Sequence, residues 1–297
     1  MSPSVKHPVV VGVAGTGEGD PALTWAARVA ASLRTDLVVV HAADPESIAA
    51  RMAGAEVVAV TAVLEAENEM LRGLRERLAE LGPELGIETT IQAGRGSPVA
   101  ALLDHQDDAA LIVVGTGRKG AVEEFVLGST SLGVAAHARC PVAVVNPGVD
   151  VDSLTHGRVG VAVDGSPDSA RAARVALALA RRTGSAVTAM STWYLEVMDG
   201  YVVTDPGSPE WERIEQQRAA AMDRALEGAV ESYPEVEVER VVRRGPVVPT
   251  LREAAQGWDA LVMGSRGLGG IQGRLLGSVS QRLMRSSPCP VIVSRAR

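Results

Sequence analysis

"GSRGLGGIQGRLLGSVS" runs from Gly264 to Ser280. It sits between an apolar run, "DALVMG", and a helical pattern, "SVSQRLMRSS", which leads into "PVIVS". Strand, glycine-rich loop, helix and strand in that order are the parts of a parallel α/β sheet. A second stretch, "GTGRKGAVEEFVLGSTS" from Gly115 to Ser131, nearly repeats the first. Gly115 and Gly264 lie 149 residues apart (264 − 115), as do Gly128 and Gly277, and Cys140 and Cys289. "CPVAVV" matches "CPVIVS", so the chain is one unit written twice.

A period this long means two domains, not a solenoid. "NPGVDVDSLTHG", Asn146 to Gly157, is rich in Gly, Pro and Asp and reads as a connection. We therefore expect domains at 1–147 and 158–297 joined by a linker at 148–157. In the second half "RVGVAV" is a β-branched run suited to a strand buried on both faces. "PDSARAARVALALARRTG" follows as a helix with Pro near its start and Gly at its end. Then come strand "SAVTAMS", a long connection, helix "PEWERIEQQRAAAMDRALEGAVESY", strand "VEVERVV" and helix "VVPTLREAAQG". The last part is the strand–loop–helix–strand run already quoted. The expected fold is two tandem Rossmann-like domains, each an open five-stranded parallel sheet with helices on both faces. Ligands of such sheets sit outside the carboxyl ends of the strands, where the strand order reverses.

Composition narrows the function classes. The 297 residues are 46% hydrophobic and 22% charged, as in a globular protein with a sizeable core. Aromatics make up only 3%, so Ala, Val, Leu and Ile must fill that core. A net charge of −7 argues against a general nucleic-acid or anionic-membrane surface. No run approaches the ~18 apolar residues of a membrane span. "MSPSVKHPVVVGVAG" lacks the apolar core and cleavage site of a signal peptide, so a cytoplasmic protein is expected. Cys140 and Cys289 each open an apolar strand and read as small buried hydrophobes.

The opening loop leaves the end of the fourth strand and enters the last helix at Ser278. The first N–H groups of a helix lack intrahelical partners and carry the positive end of its dipole, so they suit a phosphate. Gly277 would let a ligand approach closely, and Ser278 and Ser280 add hydroxyls. Gly264 and Gly267 would permit the turn of the loop. Taken alone, the loop fits a phosphate cradle and an ordinary βα connection equally. A Walker motif is absent from the chain, and "GTGRKG" at 115–120 matches the dinucleotide fingerprint without the acid that should follow it. "VDGSPDS" puts Asp164 at the end of the first strand, beside the fourth, where a carboxylate can meet a ribose or an adenine amine. Asp164 and Ser166 also suit plain capping of the next helix.

These residues resemble the universal stress protein family. The spacing Gly264, two residues, Gly267, nine residues, Gly277-Ser278 looks like the family's ATP-binding signature, and "VAVDGS" and "CPVIV" fit its first and last strands. The resemblance covers both halves. It implies ATP, with or without Mg²⁺ or Mn²⁺, held in the second half: Asp164 on the adenosine, backbone near Ser191 and Thr192 on adenine, and Gly264 by the ribose. Gly267, Gly277, Ser278, Val279 and Ser280 would cradle the phosphates, with Arg266 and Arg274 offsetting charge. It further implies a homodimer or an intrachain pseudo-dimer.

The first half keeps Gly115, Gly128, Ser129 and Ser131 as a weaker candidate site. Ala14 replaces Asp164, Arg118 replaces Gly267, and Glu123 and Glu124 enter the loop. His41 ends its second strand. Nothing near either loop resembles a positioned base with a nucleophile, so a regulatory nucleotide-binding protein is expected, with no catalytic residues and at most weak ATPase activity. The alternatives are a ligand-free interaction scaffold and an adenylating enzyme, for which Trp193, Tyr194, Tyr201 and Trp211 would supply a further substrate site.

Overall fold

The runs of β-branched residues form the central strands. In a computed structural model of the chain, residues 7–13, 20–43, 57–118, 125–149, 151, 156–194, 197–198, 201–268 and 276–295 are described. The chain divides into two units, Met1–Asp152 and Ser153–Arg297.

The first unit carries β1 (Val9–Gly12), β2 (Leu37–Ala43), β3 (Thr89–Arg95), β4 (Leu111–Gly115) and β7 (Val142–Val145). They lie in the order β3-β2-β1-β4-β7, and all neighbours are parallel. Val9, Val10, Val11, Ile112 and Val113 are wholly buried, as central parallel strands require. A short antiparallel pair, β5 (Gly117–Arg118) and β6 (Phe125–Val126), forms in the stretch read as a loop from sequence.

The second unit carries β8 (Arg158–Ala162), β9 (Ala186–Trp193), β12 (Val238–Arg244), β13 (Ala260–Gly264) and β14 (Val291–Ser294). Their order is β12-β9-β8-β13-β14, again parallel throughout. From β8 the chain moves outward through β9 to β12, then returns to the other side of β8 for β13 and β14. The order thus reverses between β8 and β13. With right-handed crossovers, helices Pro167–Thr183 and Pro209–Ser232 share one layer, while Val247–Ala254 and Ser278–Ser286 share the other. Each of these pairs is in mutual contact. A hairpin of β10 (Val197–Met198) and β11 (Tyr201–Val202) follows β9.

End signals in the sequence act as expected. Ser166 accepts a hydrogen bond from the Ser169 N–H at 3.2 Å, Pro167 opens the helix, and Gly184 closes it at φ 71°. Two strands of the second unit run two residues past their expected ends, β9 to Trp193 and β12 to Arg244. Their mutual ladder, Val238↔Val187 to Arg244↔Trp193, overrides the polar character of Thr192, Arg243 and Arg244.

Candidate functional site

The second unit places Asp164 just beyond β8 and Gly264 at the end of β13, so the two flank the reversal point. Between them and the helix Ser278–Ser286 lies an open cavity of about 610 Å³. Asp164, Gly264, Arg266, Gly267, Gly277, Ser278, Val279 and Ser280 all line it. Ser191 does not. It is buried, and the residues on either side of it, Met190 and Thr192, face the cavity in its place. Along β9, Met190 and Thr192 share one face of the sheet and Ser191 the other, while Trp193, at the strand's end, lines the cavity as well. Arg274 lies outside the described residues.

The glycine loop is tied down by two carboxylates. Asp164 Oδ1 accepts from the Ser166 N–H and its Oδ2 from the Leu268 N–H, each at 2.9 Å. Asp168, in the first turn of its helix and only 6% exposed, accepts from Ser265 Oγ at 2.8 Å and from the Arg266 N–H at 3.1 Å. Its Oδ2 also lies 3.6 Å from Arg266 Nε. Asp168 was missed from sequence because it reads as an ordinary first-turn acid at a helix N-terminus. Its tie to the loop appears only once β13 is set against that helix.

The glycines have different reasons from those expected. Gly264 and Gly267 have no positive φ. A Cβ on Gly264 would lie 2.8 Å from Asp168 Cβ, and one on Gly267 would lie 2.4 Å from Asp164 Oδ2. Both are needed for close packing against the two tying acids and not for a left-handed turn. Gly277 differs: a Cβ there would meet nothing closer than 3.4 Å. It stands before the helix Ser278–Ser286 with no side-chain cap, so the first N–H groups of that helix are not covered by a cap. Ser280 Oγ is turned inward, donating to Ser265 O at 3.1 Å and Gly277 O at 2.9 Å.

The lining also includes apolar side chains, Met190, Trp193, Val247, Leu251 and Met263, together with Tyr194 and Arg218. Trp193 is buried, and among the described residues its Nε1 has no hydrogen-bond partner. It packs edge-on against Trp211 at 4.7 Å, and Arg244 lies over both rings. The two most exposed large apolar side chains near the cavity, Leu268 at 68% and Tyr194 at 48%, both belong to its lining.

The first unit repeats the frame with other contacts. Gly128 precedes the helix Ser129–His137, again without a side-chain cap. Ser131 Oγ donates to Gly115 O at 2.7 Å. At the loop start, Thr116 donates to Asn146 Oδ1 at 2.9 Å, where the second unit uses Ser265 and Asp168. A Cβ on Gly115 would lie 3.5 Å from Ala22 Cβ where Gly264 faces Asp168, and the acid at that point is Asp20, whose Oδ1 lies 3.9 Å away and accepts from the Ala22 N–H. His41 is buried, its Nδ1 3.1 Å from Val13 O. Ala14, Lys119, Glu123 and Glu124 lie outside the described residues.

Among the described residues no group of three or more His, Cys, Asp or Glu side chains is placed to hold a metal ion. Burial pushes the Cys289 thiol up to about 12 and the Cys140 thiol up to about 11, so neither supplies a thiolate nucleophile at neutral pH. No helix among the described residues is long and apolar enough to cross a membrane.

Comparison with known proteins meets this geometry from a separate direction. The model of the universal stress protein family matches the chain twice, over residues 6–146 and 155–295. A universal stress protein of Mycolicibacterium smegmatis is 32% identical over 299 residues, 99% of each chain. One from Mycobacterium tuberculosis is 31% identical over 295 residues, covering 99% of this chain and 98% of its own. Among solved structures, a universal stress protein from Archaeoglobus fulgidus superposes with a TM-score of 0.66 at 19% identity, covering 98% of both chains. With two matched domains, relatives alike from end to end and the same fold, this chain belongs to the universal stress protein family.

Proposed function

We propose that the second unit holds an adenine nucleotide, ATP foremost, as a regulatory ligand that is hydrolysed slowly or not at all. The observation that carries this reading is the cavity at the reversal point, lined both by an uncapped helix N-terminus and by apolar side chains. Such a shape suits a ligand with an anionic end and a flat apolar end. The phosphates would lie by Gly277, Ser278 and Val279, and the base between Met190 and the Val247–Leu251 edge. Regulation, and not turnover, is supported by the lining: its described residues include no His, Glu or Lys to act as a base, and Asp164, their one carboxylate, already accepts two backbone hydrogen bonds.

Isothermal titration of nucleotide-free protein tests the reading. ATP should bind in the micromolar range, about −8 kcal/mol. Gly277→Val should abolish it, because a branched side chain would stand where the phosphates approach. No heat at millimolar ATP would overturn the proposal. A turnover above about one per second, the low end for kinases, would overturn its regulatory half.

A further inference from the structure

Resting on that reading, we infer that the nucleotide is bound as a metal-free polyanion, with Arg266 in the place a divalent cation would take. Mg²⁺ bound beside substrate phosphates is normally held by one or two protein carboxylates. Among the described lining residues Asp164 is the sole carboxylate, and both its oxygens accept backbone N–H groups. Moving it toward a cation would release the Leu268 end of the loop. Asp168 lies behind the loop, buried, with Ser265 Oγ, the Arg266 N–H and the Arg266 guanidinium on it. The loop itself, Ser265 to Gly277, contains no Asp or Glu anywhere in its sequence. Of the loop and helix-start hydroxyls, Ser280 is committed to Ser265 O and Gly277 O and Ser265 to Asp168, which leaves Ser278 as a neutral donor in a lining whose one described carboxylate is already engaged. The donor set of a magnesium or manganese site is therefore not assembled here.

Arg266 meets the opposite requirement. Its backbone and its Nε are both directed to Asp168, which fixes the stem without covering the side chain, 42% of which stays exposed. The residue lines the cavity beside Gly267 and Gly277. A guanidinium carries five N–H donors in a rigid fork, and Nε engages only one edge of it. The remaining donors match phosphate oxygens at charge-assisted strength. Arg218 brings a second guanidinium to the cavity lining from the helix Pro209–Ser232.

The test is ATP titration of the full chain in excess EDTA and again in excess Mg²⁺, with adenosine as the control ligand. Affinities for ATP in the two buffers should agree within about threefold, a difference of less than 1 kcal/mol. Arg266→Ala should weaken ATP at least about tenfold in both buffers, the loss expected for charge-assisted hydrogen bonds. It should leave adenosine affinity unchanged, which a general disturbance of the loop would not do. Arg266→Lys should recover only part of the loss, since an ammonium lacks the fork. Binding that falls tenfold or more in EDTA overturns this inference alone. So does wild-type affinity in Arg266→Ala. Absence of ATP binding in both buffers overturns the nucleotide reading itself, and this inference with it.

Discussion

At the scale of the residue, the glycines of the loop divide by what stands opposite each Cα. Gly264 faces Asp168 Cβ at 2.8 Å from the place its own Cβ would occupy. Gly264→Ala should therefore destabilise the fold by about 1–3 kcal/mol, the usual cost of overpacking, as urea denaturation would record. Gly277 has ordinary contact distances around it. Gly277→Val should cost only about 1 kcal/mol, the scale of a weakened N-cap, while ATP binding is lost. The opposite pattern, a stable Gly264→Ala and an unfolded Gly277→Val, would reverse the roles given to the two positions. Ser191 shows how far a single-residue reading reaches. The sequence puts the backbone near Ser191 and Thr192 at the site; Thr192 lines the cavity and Ser191 does not, and which of the two side chains lies there depends on the pleat. Nothing in "TAMSTW" marks its phase, because Ser191 and Thr192 are both small and polar.

At the scale of the element, strand β8 and the helix starts carry the stability. Gly160 in β8 lies under Trp258: a Cβ there would come within 2.0 Å of the indole. Trp258 is buried, so its ring has little room to move aside, and Gly160→Ala should lower stability by about 1–3 kcal/mol or more. Wild-type melting behaviour in that variant would contradict the packing. In the first unit Asp20 caps the helix Pro21–Leu33, accepting from the Ala22 N–H at 2.9 Å. Burial is the main influence on its carboxyl and raises its pKa above 3.8, against the lowering effect of the Ala22 and Leu23 N–H groups. A raised folded value means that the contribution of this group is complete below pH 3.8 and is lost as pH rises through the folded pKa. Asp20→Asn removes that titration and keeps an acceptor for the cap. The stability of wild type minus that of Asp20→Asn should thus fall as pH rises above 3.8. A difference that stays flat or rises would reject the assignment. Strands, helices and their order were legible at this scale, since parallel strands read as β-branched runs and Pro, Ser and Gly mark the helix ends. The β5–β6 pair was not legible, because Gly117-Arg118 and Phe125-Val126 are too short to show alternation. Asp168 was hidden for another reason: its partners Ser265 and Arg266 lie 97 and 98 residues away.

At the scale of the whole molecule, the two units share a strand order and differ in how each loop is held. The second unit ties its loop with Asp164 and Asp168, and the first joins Thr116 to Asn146. Losing a charged hydrogen-bond partner costs a ligand roughly 1.5–3 kcal/mol, and the sequence removes the Asp164 counterpart outright by placing Ala14 there. We expect one ATP per chain. Asp164→Ala combined with Gly277→Val should leave no tight site, as equilibrium dialysis would show. A full equivalent bound to that double variant with wild-type affinity would make the first unit a working site. The tryptophans carry a last consequence. Of the four in the chain, Trp25 and Trp258 are buried away from the cavity lining, whereas Trp193 lines it and touches Trp211. Arg244 lies 5.7 Å and 5.0 Å from those two ring centres. Indole emission responds to nearby charge and to contact with a stacked base, so occupancy of the cavity should be written into the protein's own fluorescence. Excited at the red edge of tryptophan absorption, the protein would serve as its own dye-free gauge of occupancy, and Trp193→Phe would silence it.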